Sequence, residues 1–299
     1  MKKWFSRMRA STRRIVWFSL AVMLIFILVA LLAPWISPHD PFRWDMQNTD
    51  LPAMWVKGAA LQGSSEYFLG TDVFGRDILS RLIYGARTAL LSVLIAIPLA
   101  ALIGTLVGLI SGYFGGVVDR VVLALTEMVQ SVPGIMLIVI IVLIFRVIFA
   151  PTWINGFITL AIGYVAVSWV SLARLLRMAV LQTKSRLFVE AAVSIGASPW
   201  RLILRHILPN VSHLVLVWIV NNVPAVILLE AVLGYIGVGL TSATGGGEFT
   251  VTSWGGLFYS GRFAIARNPL MLIAPALCVL LISMSFILLA DALNEQSQR

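Results

Sequence analysis

The sequence predicts an all-α integral membrane protein with six transmembrane helices, and three observations predict it. Apolar residues make up 60% of the 299 positions and charged residues only 12%, with a mean hydropathy of +0.95, whereas soluble domains hold about 45–50% apolar residues. Six apolar stretches each supply the roughly 20 residues that a helical crossing needs. The Lys and Arg residues gather beside alternate stretches, as they do in membrane proteins.

Each stretch has its own boundary signals. The first, Ile15 to Ala33, follows Lys2, Lys3, Arg7, Arg9, Arg13 and Arg14. It is too long for a secretory core of about 7–15 residues, and Ala30 and Ala33 are spaced wrongly for cleavage, so it reads as a retained helix. The others are about Ala89 to Ile110, Ser131 to Phe149, Ile154 to Leu172, Leu214 to Leu233 and Leu270 to Leu289. Fourteen of the 22 Lys and Arg residues lie in the N-terminal tail, the Ser111–Gln130 and Arg174–Arg205 connections and the C-terminus, against eight elsewhere. The positive-inside rule therefore places both termini in the cytoplasm.

The chain divides into a basic tail (1–14), the first helix (15–33), an external loop (34–88), a five-span core (89–290) and a short tail (291–299), with a cytoplasmic segment at 185–210. A second external loop, Thr241 to Asn268, holds the turn-prone run Thr244-Gly245-Gly246-Gly247. The net charge of +9 is topological and marks no nucleic-acid surface, because the cations flank apolar runs and membrane lipid is the main surrounding. Cys278, the lone cysteine, can form no intrachain disulfide. His39, His206 and His213 are too scattered for a zinc site, and the Asp72, Gly75, Arg76, Asp77 group suits turn and cap chemistry better than a metal loop. No Gly-Lys dipeptide occurs, which leaves no phosphate-binding loop of the G-x4-G-K type.

Three groups of residues stand out. In the second stretch Ala96, Ala100, Gly104, Gly108 and Gly112 recur every fourth position, a stripe for close helix packing on another span or a partner. In the fifth, Asn222 and Glu230 share a helical face and are candidates for a translocation path, although an interhelical hydrogen-bond cluster explains them equally well. Pro98 and Pro133-Gly134 are expected to kink their helices. The third group is Glu190-Ala191-Ala192, then Gly196, then His206-Ile207-Leu208-Pro209-Asn210. It reads as helix, break, helix: Gly196 admits a positive φ, Ser198 and Pro199 suit a helix start, and Pro209 discourages continuation, giving two short helices between the fourth and fifth spans. A helix lying on the bilayer is the plainer alternative, since Trp200, Arg201 and Arg205 suit an interface.

The pattern E-A-A-x3-G-x9-H-x-L-P-N is complete here and resembles that of permeases of binding-protein-dependent ABC importers. Leu69-Gly70-Thr71-Asp72-Val73-Phe74-Gly75-Arg76-Asp77 and the following residues to Arg87 resemble the dipeptide, oligopeptide and nickel branch, in its second (C-type) subunit. Gly112-Tyr113-Phe114-Gly115-Gly116 with Asp119, Ser131 with Pro133, Glu230 to Gly239 and Ser253-Trp254-Gly255 extend the resemblance. Leu233-Gly234-Tyr235-Ile236-Gly237 and the Thr244–Thr252 stretch depart from the branch pattern.

The resemblance implies a type I importer permease fold in the bacterial cytoplasmic (inner) membrane, with a cytoplasmic coupling helix between spans four and five seated on an ATPase. It implies a homologous second permease, two ATP-binding-cassette ATPase subunits and an external substrate-binding protein. The chain itself is then no enzyme and holds no cofactor, ATP being used by the partner subunits. Glu190, Ala191, Ala192, Gly196, Arg205, His206, Pro209 and Asn210 become the ATPase-coupling residues. Peptides are the default cargo, with nickel chelates or glutathione-like conjugates as alternatives. An ion-coupled secondary transporter or channel is the alternative function; it leaves the cytoplasmic motif unexplained.

Overall fold

The structure, a computed structural model, describes residues 10–57, 62–149, 153–240 and 251–297. The first nine residues of the basic tail, the Thr244–Gly247 run and the last two residues lie outside the described residues. Helix dominates: α1 is Ala10–Ile36, α2 Ile78–Phe114, α3 Gly116–Gln130, α4 Gly134–Ile148, α5 Trp153–Lys184 and α6 Leu187–Ser194. Beyond them lie α7 at Pro199–Tyr235, α8 at Trp254–Ala264 and α9 at Leu270–Ser297. Five of these, α1, α2, α5, α7 and α9, are long and apolar enough to cross a membrane, and the bent pair α3–α4 makes a sixth crossing if counted as one.

Lipid is the solvent these helices are built for. Ile25, Leu31, Leu94, Leu102 and Leu280 are all more than half exposed on candidate spans, a density of bare aliphatic surface that water would penalise at about 25 cal/mol per Å². The inward faces pack tightly. Helix α2 lies along α5, and the stripe expected on α2 explains why: Gly104, Gly108 and Gly112 are buried against Leu172, Leu176 and Val180 of α5. A Cβ at these three positions would stand 2.9, 2.7 and 2.8 Å from its nearest α5 atom. Helix α7 packs on α2, α5 and α9, and α1 lies against α2 and α9.

Three boundaries differ from the sequence expectation. Helix α2 starts at Ile78, where Asp77 caps it by accepting the Ser80 amide at 2.9 Å, so the last turns of the 34–88 loop are helical. Pro98 sits within that unbroken helix. The third apolar run, expected as a crossing over Ser131–Phe149, holds only the 15-residue α4, bent by 87° from α3. Pro133, with ψ of 121°, leaves the helical region and offers no amide to α3's last carbonyls. At 1.5 Å per residue α4 alone reaches about 22 Å, short of a hydrocarbon core of about 30 Å.

The third difference is at Pro209, expected to end a second short helix. Instead α7 runs through it from Pro199 to Tyr235, 37 residues without a stop. The turn before Pro209 is widened into a π-helix at Leu202–Ile207. The wider i→i+5 register gives room for a ring whose missing N–H would break an ordinary α-turn.

The two expected external loops bind each other. Asp72 is fully buried between Arg76 (Nη2 at 2.7 Å) and Arg81, which it also pairs. Arg81 donates through Nε to Thr252 Oγ1 at 3.4 Å, and Thr88 Oγ1 donates to the Thr252 carbonyl at 2.6 Å. Asn268 Nδ2 donates to the Leu69 carbonyl at 2.9 Å, and Trp254 Nε1 to the Leu82 carbonyl, also at 2.9 Å. Gly75 has φ of +73°, and a Cβ there would lie 1.8 Å from the Asp45 carbonyl oxygen, so this turn tolerates only glycine.

Candidate functional site

Helix α6 is held outside the long helices by one buried side and one special residue. Val189 and Ala192 pack with Leu202 of α7's first turns, against Tyr113 and Ala197. The chain then reverses at Gly196, φ +79°. The Gly196 amide donates to the Val193 carbonyl at 2.9 Å and the Ala197 amide to the Ala192 carbonyl at 3.1 Å. These are the two bonds of a Schellman termination, which requires a left-handed residue at the position of Gly196. A Cβ on Gly196 would meet nothing within 4 Å. Its role within the chain is therefore conformational, and no close approach of another backbone demands it.

The other expected coupling residues fall on both sides of this element. Glu190 and Ala191 are exposed on α6, while Ala192 is buried beneath it. Arg205 is exposed on the π-helical turn and makes no ion pair with Glu190 among the described residues. His206 is half-buried, and its carbonyl accepts the Asn210 Nδ2 at 2.6 Å; Pro209 and Asn210 are exposed. Ser198, expected as an N-cap, precedes α7 with extended φ and ψ but makes no side-chain cap bond.

Sequence reasoning missed the most telling feature of this end of the molecule. Leu187 is 83% exposed and Ile195 86%, and Val193, Trp200 and Leu204 are each more than half exposed. Five large apolar side chains thus stand on the outer side of α6 and the first turns of α7, interleaved with the charges of Glu190, Arg201 and Arg205. Apolar anchors ringed by charge are the make-up of a protein interface. The spacing of apolar residues could have revealed it, since α6 carries them on every side although one side suffices to pack.

A second missed element braces this end. Asp119, in the first turn of α3, pairs with Arg177 of α5, whose Nη2 lies 2.5 Å from Oδ2, and accepts Ser111 Oγ at 2.6 Å. Gly115 and Gly116, φ +65° and +57°, make the turn that brings Asp119 there. Lys184 Nζ donates to the Tyr113 carbonyl at 2.8 Å, so α5 enters α6 with its last turn fixed to the end of α2.

Asn222 and Glu230 are not brought together. Asn222 Oδ1 accepts the Tyr164 hydroxyl of α5 at 3.0 Å, and its Nδ2 donates to the Trp218 carbonyl. Glu230, 1% exposed, lies beneath α8 and accepts the Gly255 amide at 3.3 Å. Glu230 is sealed in the α7–α8 junction, an arrangement of the interhelical hydrogen-bonded kind that the sequence left open beside a translocation path. Gly234 and Gly255 explain the closeness of that junction, since a Cβ on Gly234 would fall 2.2 Å from the Gly255 Cα. Arg262 and Arg146 cap α7's far end, donating to the Tyr235 carbonyl at 3.1 Å and the Gly239 carbonyl at 2.7 Å.

Comparison with known proteins agrees with this architecture. The family model for the binding-protein-dependent transport system inner membrane component matches residues 104–298, which hold α6, α7 and α8. A second, for the N-terminal TM domain of oligopeptide transport permease C, matches residues 7–53. The dipeptide transport system permease protein DppC of Haemophilus influenzae is 35% identical over 92% of this chain and 87% of its own. The oligopeptide transport system permease proteins OppC of Haemophilus influenzae and Escherichia coli are 34% and 33% identical, over 99% and 93% of this chain and 88% and 84% of theirs. With helices built for lipid, and a family match across nearly two thirds of its length, the chain belongs to the inner-membrane permease components of binding-protein-dependent transport systems, as a multi-pass membrane protein.

Proposed function

We propose that this chain is one of two homologous permease subunits that together form the pathway of an ATP-driven peptide importer, with six crossings and both termini in the cytoplasm. Dipeptides and oligopeptides are the cargo named for its relatives, and an external substrate-binding protein delivers them. The chain carries no ATPase chemistry of its own, and two separate ATPase subunits supply the energy. Helix α6 is the coupling helix, seated in a cleft on one of them.

One observation carries this reading. The exposed apolar side chains of α6 and α7's first turns, with only Trp200 of the five set against another ring (Phe114) among the described residues, form an outward surface on an element fixed from beneath by Val189, Ala192 and Leu202. Glu190, Arg201 and Arg205 are its charged rim. A force applied on α7's first turns passes along α7, because the helix runs through the π-helical turn without a break, and α6 is packed on those turns through Leu202.

Ile195→Glu tests it. Ile195 is almost fully exposed, so the chain folds and inserts as before. A carboxylate at the centre of an apolar contact costs several kcal/mol, at least about a hundredfold in affinity. The ATPase subunits are expected to co-purify with the natural chain and not with this variant, and peptide uptake to be lost with them. Retained co-purification and uptake would remove the coupling assignment.

A further inference from the structure

Helix α3 is thinly embedded. Thr126 is the one buried residue of its 15, while Val117, Val121, Leu125 and Met128 stand exposed on its outer side. Its contacts with α5 are polar. Arg177 donates to both carboxylate oxygens of Asp119, through Nη2 at 2.5 Å and through Nε. Arg174, about one turn away, donates through Nε to Thr126 Oγ1 at 3.1 Å. Both ends of α3 are joints. Gly115 and Gly116 make the first, with φ of +65° and +57°. At the second, Ser131, Val132 and Pro133 are exposed, and the chain turns by 87° into α4. Beyond this elbow the packing changes character. Ile138 and Val142 of α4 are buried, and a Cβ on Gly163 of α5 would lie 2.9 Å from Val142 and 3.3 Å from Ile138. Close apolar packing thus fixes α4 to α5, whereas two arginines hold α3 there.

We propose that α3 is a strap, latched in its bent position by Arg174 and Arg177, that swings about the Ser131–Pro133 elbow toward the line of α4 when the latch opens. A segment with few buried apolar contacts opens at a lower free energy than a packed one. The Asp119–Arg177 pair is partly exposed on both sides, so its groups exchange one another for water at modest cost, whereas the apolar packing of α4 has no such substitute. The elbow lies between two helix ends, where hinges absorb their change of φ and ψ. Length favours the swing as well. Helix α4 alone reaches about 22 Å, but residues 116–148 in line reach about 50 Å, ample for a hydrocarbon core of about 30 Å. Pro133 permits this, because membrane-spanning helices accommodate proline with a kink. Arg177 lies near the end of α5, which leads into α6, so a displacement of α6 reaches the latch along α5. That link rests on the coupling assignment; the strap itself does not.

The test uses the full-length chain in lipid nanodiscs, carrying Cys278→Ala and spin labels at Val121→Cys and Ile144→Cys, both native side chains being 53% exposed. Pulsed electron paramagnetic resonance then reads the distance between α3 and α4. Measured along the helix axes, the two positions stand about 25 Å apart at a bend of 87° and about 35 Å apart in line, at 1.5 Å per residue. The chain with its latch intact is expected to show one distance, the shorter. Asp119→Asn with Thr126→Val removes the charge and the hydroxyl that the arginines hold, and is expected to add a population lengthened by about 10 Å. Asp119→Arg with Arg177→Asp reverses the ion pair and is expected to keep the shorter distance, which separates loss of the latch from damage to the fold. An unmoved distance in the Asp119→Asn, Thr126→Val chain would overturn the strap, since the elbow would then hold its bend without the arginines. The longer distance in the chain with an intact latch, or an equal lengthening in the exchanged pair, would overturn it too. No ATPase enters the measurement, so the strap and the coupling assignment fail separately.

Discussion

At Gly108 a Cβ would lie 2.7 Å from the Ala173 carbonyl oxygen and 2.8 Å from the Leu176 Cβ, both on the same neighbouring helix. At Gly196 it would meet nothing. The first glycine is required by what packs on it, the second by its own φ. Gly108→Val is therefore expected to push α2 from α5 and destabilise the bundle by about 1–3 kcal/mol, the range for overpacked cores. A lowered unfolding midpoint of the purified chain in detergent checks it, and an unchanged midpoint would mean that α2 and α5 separate freely. Both roles begin from readable signals, a period of four in one case and an isolated Gly after a helix in the other. What the sequence left open was the helix on which the stripe packs, because the atom that meets Gly108 lies some 65 residues away.

The elements outside the long helices depend on charge pairing. Burial pushes the Asp72 carboxyl up, but the charges of Arg81 and Arg76 and the bonds from Arg76 outweigh it and hold the group below its ordinary 3.8. A carboxyl lowered in the folded state contributes stability that is complete above its unfolded value and is lost as pH falls through the folded one. The midpoint of unfolding is thus expected to be level above about pH 5 and to fall below about pH 4. Asp72→Asn is expected to flatten that fall and to lower the plateau by about 3–5 kcal/mol, since it leaves two guanidinium groups buried without their carboxylate. Thermal melts of both chains between pH 3 and 7 measure it. Sequence reading took Asp72, Gly75, Arg76 and Asp77 for turn and cap chemistry, and the Asp77 cap and Gly75 turn are of that kind. The reach of Arg81 to Thr252, 171 residues on, has no local signature. Neither has Asp119 with Arg177, and the bend at Pro133 was visible only as a kink of unknown size. Local chemistry writes turns and breaks into a sequence, whereas a pair of charges drawn from distant helices is fixed only by the fold.

At the scale of the molecule, one continuous helix connects the α6 surface to the opposite end of the bundle. Helix α7 runs from the α6 surface to the α8 junction over 37 residues, about 55 Å at 1.5 Å per residue. The π-helical turn at Leu202–Ile207 sets the angular relation between its ends, because a π-turn carries one residue more than the α-turn it replaces. Pro209 gave the sequence reading a stop where the structure has a change of register, since a proline's missing N–H can be absorbed by widening the turn before it. Inserting an alanine after Leu204, an exposed residue of that turn, adds a residue to a turn that already carries one extra and has no further width to absorb it. Everything on its amino side then rotates by about 100° and shifts by about 1.5 Å relative to the span. The bundle of α2, α5, α7 and α9 keeps its own contacts, so the unfolding midpoint is expected to change little. The α6 surface, however, faces away from its former direction. ATPase co-purification and uptake are then expected to fall together, by tenfold or more if several apolar anchors lose their pockets at once, each costing about 1 kcal/mol or more. Alanine at the same position, which keeps the residue count, is expected to cost far less. Equal loss in Leu204→Ala and in the insertion would assign the effect to that side chain alone, whereas loss confined to the insertion places it in the register that joins the two ends.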